Sequence, residues 1–101
     1  EAVSFPEPDV CTVGGITVWM KVAALAEAHN LPVTSHGVHD ITVGLLAAVP
    51  NASYLEVHGF NLDPYIDKPL ELRNGFAIAS DRVGHGVNMD WEALERYRAT
   101  F

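Results

Sequence analysis

The stretch that decides the fold spans residues 31–56 and reads LPVTSHGVHDITVGLLAAVPNASYLE. Residues 31–35 form a short apolar run that predicts a β-strand. Asp40 is a candidate N-cap for an apolar helix over residues 41–49. Residues 53–57 predict the next strand. This order of strand, helix and strand is typical of a parallel sheet that is covered by helices.

The segment before this stretch extends the same pattern. Residues 2–5 are mostly apolar and are followed by Pro6-Glu7-Pro8, which predicts a buried strand that stops at the prolines. Residues 17–29 carry apolar side chains at three- and four-residue spacings, which predicts a helix with Trp19 on its apolar face. The first half of the chain therefore predicts the order β-α-β-α-β.

The pattern changes in the C-terminal part of the chain. Asn74-Gly75 lies between the short segments 70–72 and 76–78, and this dipeptide between two such segments is a strong hairpin signal. A short acidic helix is expected to begin near Asp90, with Trp91 as a core or interface anchor. We therefore expect a hairpin and a final helix after the βα units.

Composition and charge exclude several classes of protein. Of the 101 residues, 49% are hydrophobic and 19% are charged, which excludes a disordered tail. The net charge of −7 provides no basic surface for nucleic acid or anionic lipid, and we expect neither as a partner. The apolar runs are far shorter than the ~20 residues that cross a bilayer. The acidic balance is typical of a soluble cytoplasmic enzyme.

A single cysteine, Cys11, excludes an internal disulfide and a zinc site built from several cysteines. We expect Cys11 to be a small buried hydrophobic residue. The chain begins at Glu1, without Met or a signal peptide, and is expected to be a fragment of a longer protein.

Ionisable residues follow three successive predicted strands, namely Asp9, His36 and Glu56. Asp9 and His36 are about one βα repeat apart, which predicts that they lie on adjacent strand ends with their side chains within hydrogen-bond distance. A carboxylate beside an imidazole fixes the tautomer of the ring and raises its basicity, which makes a general base. The Glu56 carboxyl could bind a substrate carboxylate if protonated, or stabilise developing negative charge. The alternative is that all three are ordinary polar loop residues.

Two further histidines lie near these strand ends. His58 is two residues after Glu56 and shares its face in an extended strand, where it could contact substrate or fill the mouth of a barrel. His39 could line the pocket, cap a helix or be solvated. The βα order fits either half of a doubly wound sheet or a slice of a (β/α)8 barrel. The absence of a Gly-x-Gly-x-x-Gly motif after any predicted strand weakens the dinucleotide-binding alternative.

A set of motifs with specific spacing resembles one known family. The motifs are Pro8-Asp9-Val10, Val13-Gly14-Gly15-Ile16-Thr17, Ala24-Leu25-Ala26, Ser35-His36, Leu45-Leu46-Ala47-Ala48 and Tyr54-Leu55-Glu56. Together they resemble the C-terminal barrel segment of the enolase superfamily, in particular the mandelate racemase subgroup of the mandelate racemase/muconate lactonizing enzyme family. The resemblance implies an α/β fold that is the C-terminal part of a (β/α)8 barrel. Residues 1–66 would supply the last βα units, and residues 67–101 a hairpin and helix that return to a capping domain.

The resemblance also implies an activity for the whole protein. Asp9 and His36 would form the acid/base dyad, Glu56 would hydrogen-bond the substrate carboxylate or its enediolate, and Mg²⁺ would be held by acidic residues upstream of this chain. The enzyme would remove a proton α to a carboxylate, a reaction that this segment alone cannot complete. The favoured activity is that of a sugar acid dehydratase (a lyase). The alternatives are a racemase or epimerase of the same family, or a non-catalytic anion-binding α/β module. The expected partners are a small sugar acid, the rest of the barrel with its capping domain, and further copies of the protein in a dimer or octamer.

Overall fold

The first half of the chain alternates helices with short strands. A computed structural model describes residues 2–59 and 62–99. Its first four elements are helix α1 (Ile16–Ala28), strand β1 (Val33–Ser35), helix α2 (His39–Ala47) and strand β2 (Ala52–Leu55). They are followed by a short 3-10 helix (Asp63–Tyr65), strands β3 (Glu71–Arg73) and β4 (Phe76–Ile78), and helix α3 (Trp91–Glu95). Across the part of the chain that is described, no helix combines the length and the apolar character needed to cross a membrane.

Strand β1 lies between β2 and an extended segment over residues 6–9. β1 and β2 are parallel, and a bulge shifts their register between Val33 and Ser35. On the other side, the Thr34 N–H donates to the Pro6 carbonyl at 3.1 Å and the His36 N–H donates to the Pro8 carbonyl at 3.4 Å. The predicted βα order is therefore confirmed for the three segments that carry Asp9, His36 and Glu56.

The prediction of a buried strand over residues 2–5 is wrong, because these four residues are exposed. The segment that pairs with β1 runs through the two prolines instead. Proline has no N–H to donate, but its carbonyl still accepts a hydrogen bond. The prolines contribute only their carbonyls here, to the amides of Thr34 and His36, so they are compatible with this position.

The core lies between this parallel arrangement and the two helices. Its buried members are Val10, Trp19, Ala23, Val33, Leu45 and Leu46. Trp19 is fully buried, and its indole Nε1–H donates to the Pro8 carbonyl at 2.9 Å. This hydrogen bond therefore holds the segment before Asp9 against helix α1. Trp91 is 75% exposed, so the core alternative for that residue is wrong, and the interface alternative stays a prediction.

The C-terminal elements match the local sequence signals. Asn74 (φ 53°) and Gly75 (φ 81°) form the turn between antiparallel β3 and β4, which confirms the hairpin. The Asp90 carboxylate caps α3 by accepting from the Ala93 N–H. The division between residues 1–66 and 67–101 stays a prediction, and residues 1, 60, 61, 100 and 101 lie outside the described residues.

Helix α2 begins one residue before its predicted cap. Its N-cap position is Val38, so the prediction that Asp40 caps the helix is wrong. Asp40 lies inside the first turn, where its Oδ1 accepts from the Leu70 N–H at 3.2 Å. The carboxylate thus joins α2 to the segment that enters the hairpin.

Candidate active site

Asp9 and His36 meet at the carboxyl ends of their parallel segments. The two residues form an isolated parallel bridge, and His36 Nδ1 lies 3.0 Å from Asp9 Oδ2. The prediction that these side chains reach hydrogen-bond distance is confirmed. The imidazole is 51% exposed and the carboxylate only 16%, so the ring is accessible to a reactant while the carboxylate lies behind it.

The Asp9 carboxylate is held in one orientation by the turn that follows it. Its Oδ1 accepts from the backbone N–H of Cys11 at 2.7 Å and from that of Thr12 at 3.1 Å. Oδ2 is therefore left to accept the Nδ1–H of His36. With the proton on Nδ1, the neutral ring keeps a lone pair on Nε2, which is the atom that can take a proton. Cys11 itself is exposed, so the expectation of a buried thiol is wrong.

The electrostatics of the pair favour a charged imidazole. The hydrogen bond to Asp9 raises the pKa of His36 above its ordinary value of 6.5, and the negative charges of Glu56, Asp9 and Glu7 act in the same direction, while desolvation opposes the shift. The same hydrogen bond lowers the pKa of Asp9 below 3.8, with desolvation opposing it and the amides of Cys11 and Thr12 adding to the effect. Asp9 therefore stays ionised over the pH range in which His36 gains or loses its proton.

Glu56 and His58 form a second pair beside the first. Glu56 Oε2 lies 3.0 Å from His58 Nε2, and the rings of His36 and His58 meet edge to face with centroids 5.4 Å apart. The buried N–H of Gly37 donates to Glu56 Oε2 at 3.2 Å and to His58 Nε2 at 3.1 Å. Asp9, His36, Glu56 and His58 thus lie in one cluster. Their catalytic and substrate-binding roles stay a prediction.

Gly37 is a site residue that the sequence analysis missed. A glycine directly after a strand-end histidine was the available signal, because glycine is the residue that adopts positive φ without strain. Gly37 has φ +60°, and Val38 follows with φ 31°. These two residues turn the chain sharply from β1 into α2 and aim the Gly37 N–H at Glu56.

His39 is buried rather than solvated, so that alternative is wrong. Its Nδ1 accepts from the His58 N–H at 3.3 Å, and its Nε2 lies 3.6 Å from Asp40 Oδ2. Because Nδ1 is an acceptor, the proton of the neutral ring is on Nε2 and faces the Asp40 carboxylate. His39 therefore supports the backbone that carries His58.

The described residues do not form a site suited to Mg²⁺, which prefers oxygen ligands in octahedral geometry. One group of possible ligand atoms within 4.8 Å of each other comes from His36, Glu56 and His58, which supply two nitrogens and one oxygen. A second group comes from His39, Asp40 and Asp63, which supply one nitrogen and two oxygens. Neither donor set fits Mg²⁺.

Comparison with known proteins identifies the architecture. A family model described as Enolase C-terminal domain-like matches residues 1–93. The chain is 53% identical over 95 residues to a 3,6-anhydro-α-L-galactonate cycloisomerase from Streptomyces coelicolor, covering 94% of this chain. The crystal structure of a racemase from Streptomyces coelicolor with bound magnesium has a TM-score of 0.85 at 51% identity over 93% of this chain. A second crystal structure is that of an L-talarate/galactarate dehydratase from Salmonella typhimurium, liganded with Mg and L-lyxarohydroxamate. Its TM-score is 0.82, and it is 34% identical over 91% of this chain.

The chain spans only about a quarter of these relatives. It covers 26% of the cycloisomerase, 26% of the racemase and 23% of the dehydratase. The family-model match over residues 1–93 includes Asp9, His36 and Glu56.

Proposed function

Because the chain belongs to the Enolase C-terminal domain-like family and forms the C-terminal part of a (β/α)8 barrel, we propose that the whole protein removes a proton α to the carboxylate of a sugar acid. His36 is the base in this proposal and Asp9 is its partner. The observation that carries the proposal is the 3.0 Å hydrogen bond between His36 Nδ1 and Asp9 Oδ2 at adjacent strand ends. Strand ends of this kind are where the reactive residues of such barrels lie.

The carboxylate–imidazole pair matches the demands of this step. A base must be unprotonated at working pH and basic enough to capture a carbon-bound proton. Asp9 raises the basicity of His36 and keeps the lone pair on the accessible Nε2. Members of the enolase superfamily use Mg²⁺, and we propose that its ligands lie on parts of the protein outside this chain.

Glu56 and His58 are proposed as substrate contacts. Both side chains are partly exposed and face the same cluster as His36. When protonated, the Glu56 carboxyl group would donate a hydrogen bond to the carboxylate or enediolate of the substrate, and His58 would contact the same ligand. Hydrogen-bond donors placed where negative charge develops lower the barrier of such reactions.

The proposed reaction continues as an elimination. Removal of the α-proton leaves an electron pair that can expel an oxygen from the neighbouring carbon. If that oxygen is a hydroxyl group, it leaves with a proton as water and the reaction is a dehydration. If it is the ether oxygen of an anhydro ring, the ring opens without loss of atoms, which is an isomerisation. The similarity to a cycloisomerase supports ring opening, and the similarity to a dehydratase supports loss of water. Return of a proton to the other face would make the enzyme a racemase.

The same proposal extends to the rest of the molecule. We propose that residues 67–101 return towards a capping domain, and that the protein is a cytoplasmic homo-oligomer. The net charge of −7 supports the solubility that a cytoplasmic protein needs.

The test uses the intact protein and His36→Asn. Substrates are an α-deuterated 3,6-anhydro sugar acid and an α-deuterated galactarate, and the readouts are deuterium loss to solvent and product identity. His36→Asn should lower turnover at least about 10²-fold, since general acid–base catalysis contributes that much or more. Calorimetry should show unchanged Mg²⁺ binding. The matched control is His85→Asn, an exposed loop histidine, which should keep wild-type turnover.

Three results would contradict the proposal. Wild-type exchange by His36→Asn would show that another group is the base. Loss of Mg²⁺ binding in that variant would make His36 a metal ligand. Carboxylate binding without turnover of any tested acid would favour the non-catalytic module.

A further inference from the structure

Gly37 lies where the two pairs of the site meet. It is buried, has φ +60° and directly follows His36. A Cβ atom at this position would lie 2.6 Å from Asp9 Oδ2 and 3.4 Å from Asp9 Cγ. Non-bonded carbon and oxygen atoms do not approach to 2.6 Å, so Asp9 occupies the space that any other residue would need.

The N–H of the same residue serves the second pair. It lies 3.2 Å from Glu56 Oε2 and 3.1 Å from His58 Nε2, and it donates to both. A buried amide that lost these acceptors would be left unsatisfied, which is unfavourable. The Glu56–His58 pair therefore holds the Gly37 backbone in place, and the Gly37 N–H in turn orients this pair.

We propose that Gly37 is a positioning residue that sets the Asp9–His36 pair and the Glu56–His58 pair in register with each other. Its missing side chain leaves room for the Asp9 carboxylate against His36, and its N–H holds the Glu56 carboxylate beside His58. The catalytic role of Gly37 rests on the proposed function, whereas its effect on the position of Asp9 does not.

A methyl group at Gly37 would act first on Asp9. The carboxylate has little freedom to move aside, because Oδ1 is held by the N–H groups of Cys11 and Thr12. Relief of the clash would therefore require Oδ2 to leave His36 Nδ1. Gly37→Ala should break the dyad without removing either of its members.

The first experiment is Gly37→Ala in the intact protein. Gly75→Ala is the matched control, because Gly75 has φ +81° but nothing within 4 Å of its added Cβ. Gly37→Ala should lower turnover about 10²-fold, as expected for a displacement of about 1 Å in a catalytic group. Loss of the Asp9 hydrogen bond should also lower the pKa of His36, measured by NMR, and move the acid limb of the pH–rate profile to lower pH. Gly75→Ala should leave both unchanged.

A double-variant cycle separates the clash from backbone strain. In an Asp9→Ala background the clash is absent, so adding Gly37→Ala should produce no further change in the pKa of His36. An equal further change in that background would overturn the proposal, and so would an unchanged pKa in Gly37→Ala alone. If Gly37→Ala does not fold, the Asp9→Ala/Gly37→Ala protein should recover folding. Its failure to fold would assign the effect to strain and also overturn the proposal.

These outcomes are distinguishable from failure of the proposed function. If His36→Asn keeps full turnover, the catalytic proposal is wrong. The positioning of Asp9 by Gly37 is still decided by the NMR titration of His36, which needs no activity.

Discussion

Replacement of Asp9 by asparagine should be more damaging than removal of its side chain. The substitution is nearly isosteric, yet the surroundings force the amide into one orientation. Oδ1 accepts from two backbone N–H groups, those of Cys11 and Thr12, at 2.7 and 3.1 Å. In Asp9→Asn the amide oxygen must remain at that position, because an NH₂ group there would face two donors. The NH₂ group therefore occupies the place of Oδ2, facing His36.

This orientation reverses the tautomer of the imidazole. An NH₂ group 3.0 Å from Nδ1 can only donate to it, so the neutral ring must carry its proton on Nε2. The accessible nitrogen then has no lone pair with which to take a substrate proton. The whole general-base contribution should be lost, which is about 10²- to 10⁴-fold in turnover. In Asp9→Ala both tautomers are available, and a fraction of the rings keeps a basic Nε2.

The assay is deuterium loss from the α-carbon of the best substrate, measured for the intact wild-type, Asp9→Asn and Asp9→Ala proteins. Nitrogen-15 NMR of His36 should report a proton on Nδ1 in the wild type and on Nε2 in Asp9→Asn. We expect Asp9→Ala to be the faster of the two variants. An Asp9→Asn protein that exchanges faster than Asp9→Ala, or that keeps the Nδ1 proton, would refute this reasoning.

Two further predictions concern pH and stability. Exchange by the wild type should fall on acidification through a pH above 6.5, since Asp9 raises the pKa of His36 and only the neutral ring is a base. A pH–rate series with its acid limb at or below that value would contradict the pairing. Trp19→Phe should destabilise the protein by about 0.5–1.5 kcal/mol, the net worth of one hydrogen bond, because the Pro8 carbonyl loses the indole donor but keeps the His36 N–H. Trp19→Ala should cost about 3–5 kcal/mol through the added cavity, and urea denaturation followed by circular dichroism should show this order.

The order of the elements along the sequence was enough to predict much of the candidate site. Asp9, His36 and Glu56 follow successive βα segments, and parallel segments bring their carboxyl ends to one edge. The prediction of a hydrogen bond between Asp9 and His36 needed only that rule. The sequence contained no comparable rule for Gly37, because its contacts come from residues on two other segments.

Features that depend on neighbours in sequence were determined by the sequence itself. Asn74-Gly75 specifies its hairpin because both residues adopt positive φ readily, and the spacing of apolar residues around Trp19 specifies α1. Tertiary structure alone decided that the proline segment, rather than residues 2–5, lies against β1. Which segment pairs with β1 depends on which backbone carbonyls lie opposite the N–H groups of Thr34 and His36. The burial of His39 has the same origin, since its partner is the backbone of His58. Hydrogen-bond partners and burial are supplied by segments distant in sequence, so local propensity cannot specify them.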